Sequence, residues 1–474
     1  MTPLLEVLEP KEVEKLHEAT LRTLENVGVE FQLEEALEVF KTLGAAVKGS
    51  RVYIPRALVA RALATVPERF CLEARNPDRS LWIGGGETVF APPAGCVYVQ
   101  AGGLRREATP GDYLDLVRVI NQSGHYGTNG GGIVIPGGTF GSDEERFAWL
   151  VLAGHWYSDK PQMGLNLGKQ VSQDVLDISR LVFGDRLGCH VLGTVNPDSP
   201  LIYSTQMLES LFVYARGGQG LIIAPCSMAM ATSPATLAGT LVVNNAEILA
   251  GICLAQFIRP GTPVVYGNTS TISDMQTMAI SLGAPELSLL VLATAQLARF
   301  YRLPSRAGGA LTDAKAPDIQ AGMESMLSIL ATLAGEVSIV MHAGGILDSF
   351  LTLSFEKLIL DEDAGGMAGR FRQGIRVDDE TLALGTISER GPGAHFLDAD
   401  HTLRHFRQEQ WHPQLSDRET YRVERDYQTY ILAKAEQVWR GRLQTYNRPV
   451  LSVESERRML TFYQQRFGSE PFLV

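Results

Sequence analysis

One unit recurs between residues 88 and 345 and limits the fold more than any other feature of the chain. It is a short apolar run, then a polar or glycine-rich end, then a helix-like stretch. The runs are ETVFAPPAG (87–95), YGTNGGG (126–132), PQMGLNLG (161–168), HVLGTVNP (190–197), GLIIAPCS (220–227), PVVYGNTS (263–270), PSRAGGALTDAK (304–315) and SIVMHAGG (338–345). Helix-like stretches such as 143–157, 171–183 and 285–301 separate them. Eight apolar strands alternating with crossover helices predict an α/β fold, a closed (β/α)8 TIM barrel. The working end of such a barrel is at the strand C-termini. The residues that finish these runs are therefore site candidates: Asn129, Asn166, Asn196, Ser227, Asn268, Asp313 and His342.

A barrel takes about 250 residues, so a chain of 474 leaves room for further elements at both ends. Residues 1–86 read as an N-terminal helical cap, 87–365 as the barrel, and 366–474 as a C-terminal extension packed on the barrel or reaching to another copy in a homo-oligomer. No Ser/Gly/Pro-rich linker separates these parts. The net charge is −11 with no long basic run, which argues against nucleic acid as a partner. No uninterrupted apolar stretch reaches about 18 residues, so no membrane span is expected. Five scattered cysteines without a CxxC pair fit reduced thiols and a cytoplasmic location.

Each candidate has a plain reading beside the functional one. Asn129, Asn166, Asn196 and Asn268 all lie where a strand passes into a helix; they either cap helices or turn into the barrel mouth to donate hydrogen bonds. Asp313 and Lys315 in LTDAK form an ion pair, or contact a substrate carboxylate, or Lys315 forms a Schiff base as a barrel lysine can. His342 is either a satisfied buried residue or a hydrogen-bonding group or acid. Among aromatic residues near strand ends, Tyr98, Tyr266 and Phe355 are candidates for a cation-binding face. His401 and His405 stand at i,i+4 without the HExxH pattern, and Cys226 reads as a small buried thiol. No metal bound by this chain is expected.

Longer motifs carry a family resemblance over nearly the whole chain. They are LHEATLRTLENVGVEF and RVYIP in the cap, PERFCLEARNP with SLWIGGG after it, and LTDAKAPDIQAGMESMLSILATLAGEVSIVMHAGGILDS (311–349). Toward the C-terminus come SFEKLILDED (354–363), GPGAHFLDADHTLRHFR (391–407) and WHPQLSDR (411–418). The sequence resembles the trimethylamine methyltransferase superfamily. The resemblance implies a barrel enzyme of one-carbon metabolism that moves a methyl group from a small methylated amine to the cobalt of a corrinoid (cobalamin) carried by a partner protein. No corrinoid-binding DxHxxG pattern occurs in the chain; DADHTL (398–403) has Ala two places before its His. The trimethylamine branch uses pyrrolysine, and this chain has only standard residues. The departure points to the non-pyrrolysine branch and to a quaternary amine of the glycine betaine kind. Such a cation has no lone pair and needs no deprotonation, so its demethylation rests on orientation more than on acid–base groups. Two alternatives stay open: a barrel lyase or aldolase working through Lys315, and a betaine-binding protein without catalysis.

Overall fold

A computed structural model describes residues 4–138, 140–184, 188–427 and 429–473. Seven parallel strands make up its central sheet: β1 (Val89–Phe90), β2 (Gln162–Met163), β3 (Val191–Val195), β4 (Gly220–Ile223), β5 (Val264–Gly267), β6 (Ser305–Gly308) and β7 (Ile339–Met341). They curl in the order β1-β7-β6-β5-β4-β3-β2. Eight helices surround them: α1 (Pro110–Gln122), α2 (Asp143–Tyr157), α3 (Lys169–Phe183), α4 (Thr205–Arg216), α5 (Leu237–Ile258), α6 (Pro285–Phe300), α7 (Ile319–Ala334) and α8 (Phe355–Gln373).

The closed eight-stranded barrel expected from the repeat is not formed. Between β1 and β2, where 126–132 should supply a strand, there is one parallel bridge from Phe90 to Tyr126. Two backbone bonds accompany it, Gly127 N to Phe90 O at 2.8 Å and Asn129 N to Pro161 O at 3.1 Å. The reason lies in the sequence. Gly130 and Gly131 take φ of +80° and +61°, outside the strand region. A Cβ on Gly131 would stand 2.6 Å from the Met163 carbonyl oxygen. Before the glycines, Lys160 Nζ donates to the carbonyls of Ile120, Ser123 and Tyr126 at 2.7, 2.8 and 2.5 Å. A buried lysine side chain thus takes the place of ladder bonds at this seam, and a curled, TIM-barrel-like half-barrel results.

Alternation along the strands sorts side chains between two cores. Leu192, Ile222, Val265 and Ile339 point inward and form the inner core. Their neighbours Val191, Leu221, Val264 and Val340 pack outward under the helices. Each such buried aliphatic contributes about 1.5–3 kcal/mol. The lower end is closed by a hairpin, Phe70–Leu72 against Leu81–Ile83, which puts Phe70, Leu72 and Ile83 into the inner core.

The N-terminal helices Pro10–Asn26, Glu34–Thr42 and Arg56–Leu63 pack on α5. α5 is long and apolar enough to cross a membrane by length and composition. Its buried polar groups face protein partners instead: Asn244 donates to Ser227 Oγ at 2.7 Å, and Asn245 donates to the Tyr301 hydroxyl at 2.8 Å. Glu247 accepts from Leu201 N at 2.8 Å. These contacts mark α5 as a core helix. At the other end of the chain, helix Tyr430–Thr445 lies on α1 and α8, and helix Val453–Phe467 lies on α2 and α3. Arg442 grips the Glu362 carboxylate with two bonds of 2.8 and 2.7 Å. Residues 375–427 run over the surface between these elements, and their helices Leu384–Arg390 and Asp400–Glu409 bury no residue.

Candidate active site

A cavity of about 470 Å³ opens at the C-terminal ends of the strands. The inward register of each strand decides what lines it. β3 delivers Thr194 and then Asn196, β4 leads to Cys226, β5 leads to Thr269, and β6 delivers Arg306. β7 breaks the pattern. His342 has φ of +55°, and this left-handed turn places both Met341 and His342 on the cavity wall although they are adjacent in sequence. Gly130, Gly132 and Ile135 from the seam complete one side. Among the described residues no Asp, Glu or Lys lines the cavity.

Arg306 is the strongest charge there and only 3 % exposed. Its Nη1 donates to Asn268 O at 3.0 Å and to Thr269 Oγ1. Its Nε has no acceptor, and no carboxylate among the described residues pairs with it. Burial pulls its pKa down to about 10, so the guanidinium keeps its charge at neutral pH. A buried cation without a counter-ion is costly, and one on a cavity wall is a ready receiver for an anionic group. Beside it, His342 is 7 % exposed, and its Nδ1 lacks a partner. Burial, and then the nearby Arg306 charge, hold its pKa well below the ordinary value, so the imidazole is neutral.

Two phenylalanines, Phe147 from α2 and Phe350, offer aromatic faces to the cavity. Phe350 comes from the hairpin Ile346–Leu347 and Thr352–Ser354. Its turn residues Asp348, Ser349 and Phe350 have φ of +52°, +49° and +77°. For a bulky side chain such backbone is strained, and neighbouring groups hold it in place. Ser349 Oγ donates to Asp313 Oδ1 at 2.6 Å, while the same carboxylate accepts from Leu282 N and Gly283 N, each at 2.9 Å. Asp348 meets Lys315 at 3.3 Å and Arg105 at 3.2 Å. The hairpin tip thereby brings the Phe350 ring to 4.7 Å from the His342 ring.

The structure divides the expected residues into two groups. Asn166, Asn196 and His342 line the cavity, with Asn166 Nδ2 3.4 Å from Asn196 Oδ1 and Asn196 Nδ2 bonded to Ala224 O at 2.6 Å. Asn129 and Asn268 are buried behind the wall. Asn129 Nδ2 donates to Gln162 Oε1 at 2.6 Å, and Asn268 Nδ2 donates to Thr294 Oγ1 at 3.0 Å. Tyr266 shares the outward register of Asn268, and its hydroxyl donates to Asn245 Oδ1 at 2.8 Å. Phe355 packs against Trp439 at 4.8 Å, and Tyr98 lies under the Arg105 guanidinium at 3.8 Å. None of these three rings lines the cavity. Asp313 and Lys315 stand outside it as hairpin ties; Lys315 is exposed and bonded to Asp313 O at 2.6 Å. Its exposure and its pairing with Asp348 set Lys315 apart from the cavity. Cys226 is exposed at the wall rather than buried. Among the described residues, no group of three or more His, Cys, Asp or Glu is placed to hold a metal ion. The sequence reading passed over Arg306, Phe147 and Phe350, and the charge inside SRAGG was the one visible signal among them.

Comparison with known proteins agrees with this architecture. The family described as trimethylamine methyltransferase (MTTB) matches residues 1–471. A glycine betaine methyltransferase of Desulfitobacterium hafniense (strain Y51) is 39 % identical over 471 residues, 98 % of each chain. A proline betaine:corrinoid methyltransferase of Eubacterium limosum is 35 % identical over 424 residues, 86 % of each chain. The crystal structure of the Methanosarcina barkeri monomethylamine methyltransferase superposes with a TM-score of 0.51 at 11 % identity, covering 92 % of this chain and 91 % of that one, which is a likeness of fold. The chain belongs to the trimethylamine methyltransferase family and is a methyltransferase.

Proposed function

We propose that the protein takes a methyl group from a betaine, a quaternary amine that also bears a carboxylate, and delivers it to a corrinoid carried by a separate protein. The observation that carries this reading is Arg306, a buried guanidinium in a cavity that no acid among the described residues lines. It matches the substrate carboxylate, and the Phe147 and Phe350 faces match the ammonium. The corrinoid, as cob(I)alamin, supplies the two-electron nucleophile that accepts the methyl group. The electron pair of the broken C–N bond stays on nitrogen, and a tertiary amine leaves without needing a proton. The chain's own task is then to fix the cation in line with its acceptor. Arg306 anchors one end of the substrate, the aromatic faces hold the other, and Asn166 and Asn196 offer hydrogen bonds between them. A neutral His342 adds a polar contact without repelling a cation. Asp313 and Lys315 act through the hairpin as positioning residues, and Asn129 and Asn268 act through the wall. Exposed Leu384, Leu397 and Leu403 on the 375–427 segment support association into a homo-oligomer.

The test offers glycine betaine, proline betaine, carnitine, choline and trimethylamine in turn to the purified protein with cob(I)alamin and follows methylcobalamin by absorbance. Turnover of one or more betaines is expected. Turnover of trimethylamine with none of the betaines active would falsify the reading.

A further inference from the structure

Beside the cavity, β4 and β5 do not stop at their ends. The chain after Cys226 continues as Met228–Ala229 and the chain after Thr269 as Thr271–Ser273; the two pair in parallel, with Ile280–Ser281 antiparallel to the second. Since Cys226 and Thr269 line the cavity, this small sheet rises directly from its wall. Register Met228↔Thr271 and Ala229↔Ile272 brings the two following turns to the same edge. Both turns are tipped with methionine. Met230 is 43 % exposed, Met275 61 % and Met278 64 %.

The tips are firmly built. Met230 N donates to Ser233 O at 3.1 Å, and Met278 N donates to Asp274 O at 2.7 Å. The Asp274 carboxylate accepts from Gln276 N and Thr277 N, each at 2.8 Å. Yet Met230 and Met278 have φ of +78° and +59°. Gly or Asn is the natural choice for such positions, and a long side chain there costs on the order of 1 kcal/mol. Two apolar side chains are therefore held in strained, solvent-facing positions on the sheet that continues from the cavity wall. Turn formation does not need them, and neither does the core.

We propose that this methionine-tipped sheet is the seat of the corrinoid-bearing partner, an inference that rests on the function proposed above. The acceptor arrives on a protein and cannot enter a cavity of about 470 Å³. Its reactive metal must meet the methyl group at the mouth, so the partner has to lie against the rim. A corrin ring is a broad, largely apolar disc fringed with amides. Thioether side chains adapt to such a surface and to the varied protein edge around it. Continuity between the sheet and the cavity wall selects this occupant over a second copy of the chain, which has no need of the mouth.

The test compares wild type, the Met275→Asp/Met278→Asp double variant and the Met275→Leu/Met278→Leu double variant. The probe is a cobalamin-loaded corrinoid protein that the wild type methylates with a betaine as donor. Binding is measured with that probe in its cob(II)alamin form by calorimetry, and methyl transfer is measured to the same protein and to free cob(I)alamin. The Asp variant is expected to raise Kd about 30-fold, the effect of losing an interface hot spot, and to lower the ratio of protein-bound to free-acceptor transfer alike. The Leu variant should hold both within about threefold of wild type, as an apolar exchange of similar volume does. An Asp variant that binds the partner as wild type does overturns the proposal. So does one that loses transfer to both acceptors equally, or one whose sole change is dissociation of a homo-oligomer in sedimentation. A wild type inert with every betaine and free cob(I)alamin overturns the function beneath it and is recognised before any variant is made.

Discussion

Replacing Arg306 with Met separates the two halves of the proposed substrate. In the free enzyme the guanidinium is buried without a counter-ion, and its Nε is unbonded. Removing it relieves a desolvation penalty of several kcal/mol, while Asn268 O and Thr269 Oγ1 each lose a donor worth about 1 kcal/mol. We expect unfolding free energy to rise by about 1–2 kcal/mol on this balance. With a betaine bound, the same change removes a desolvated, charge-assisted pair worth about 2–5 kcal/mol. Taking a mid-range value of about 3.5 kcal/mol, kcat/KM for glycine betaine should fall on the order of 300-fold. Choline, which has no carboxylate, should change by less than about threefold. The assay is methylcobalamin formation with each donor, beside urea denaturation of both proteins. Equal losses for betaine and choline, or a betaine rate close to wild type, would refute the carboxylate role.

Glu247 carries a pH signature: burial pushes its carboxyl up to about 7. Between the ordinary carboxylate range and that value the native state binds more protons than the unfolded one, so stability should decline as pH rises through this window. Glu247→Gln should flatten the decline in urea melts at pH 4.5 to 8; an unchanged slope would count against the assignment. Lys160→Met removes a donor from three carbonyls at the seam, of which Ile120 O keeps the Ser123 N–H at 3.1 Å. We expect a loss of about 3 kcal/mol, with faster hydrogen exchange at Gly127 and Asn129. Because His342 is held neutral, kcat should be level from pH 6 to 8; a step in that range that disappears in His342→Gln would contradict the burial argument. Ser349→Ala cuts the tie from Asp313 to the strained hairpin. It should raise KM about tenfold while stability changes by about 1 kcal/mol or less, and an unchanged KM would remove the hairpin from substrate positioning.

Strand positions were legible where the runs are apolar on both faces, as in β4, β5 and β7, the pattern of strands buried in a parallel sheet. The same property hid which way each residue points. Asn196 and Asn268 end strands that look alike in sequence, yet Asn196 shares the inward face of Leu192 and Thr194, while Asn268 shares the outward face of Tyr266. An unbroken apolar run carries no mark of its parity. His342 was legible as a candidate, though its route into the cavity is a left-handed kink that no motif displays. Phe350 could not be found from spacing, since its place depends on Asp313 and Ser349, 36 residues apart, meeting across two loops. Arg306 was open to view as a charge within an apolar strand run, where burial demands a partner or a purpose.

The seam between β1 and β2 bears on how such an enzyme changes its diet. Seven walls of the cavity are fixed by ladders, in which a shifted residue disturbs both neighbours. On this side the wall is held more sparsely, by one bridge from Cys96 to Val134 and by Gly95 N to Gly132 O and Ile135 N to Cys96 O, each at 2.8 Å, with a lysine side chain joining nearby. Gly130 and Gly131 are fixed by their positive φ and by close contacts to Pro92 and Met163, but exchanges around Ile135 can reshape the pocket while the sheet keeps its register. A lineage moving from one methylated amine to another would find its freest variation along this stretch, and transplanting it between relatives should carry substrate preference with it.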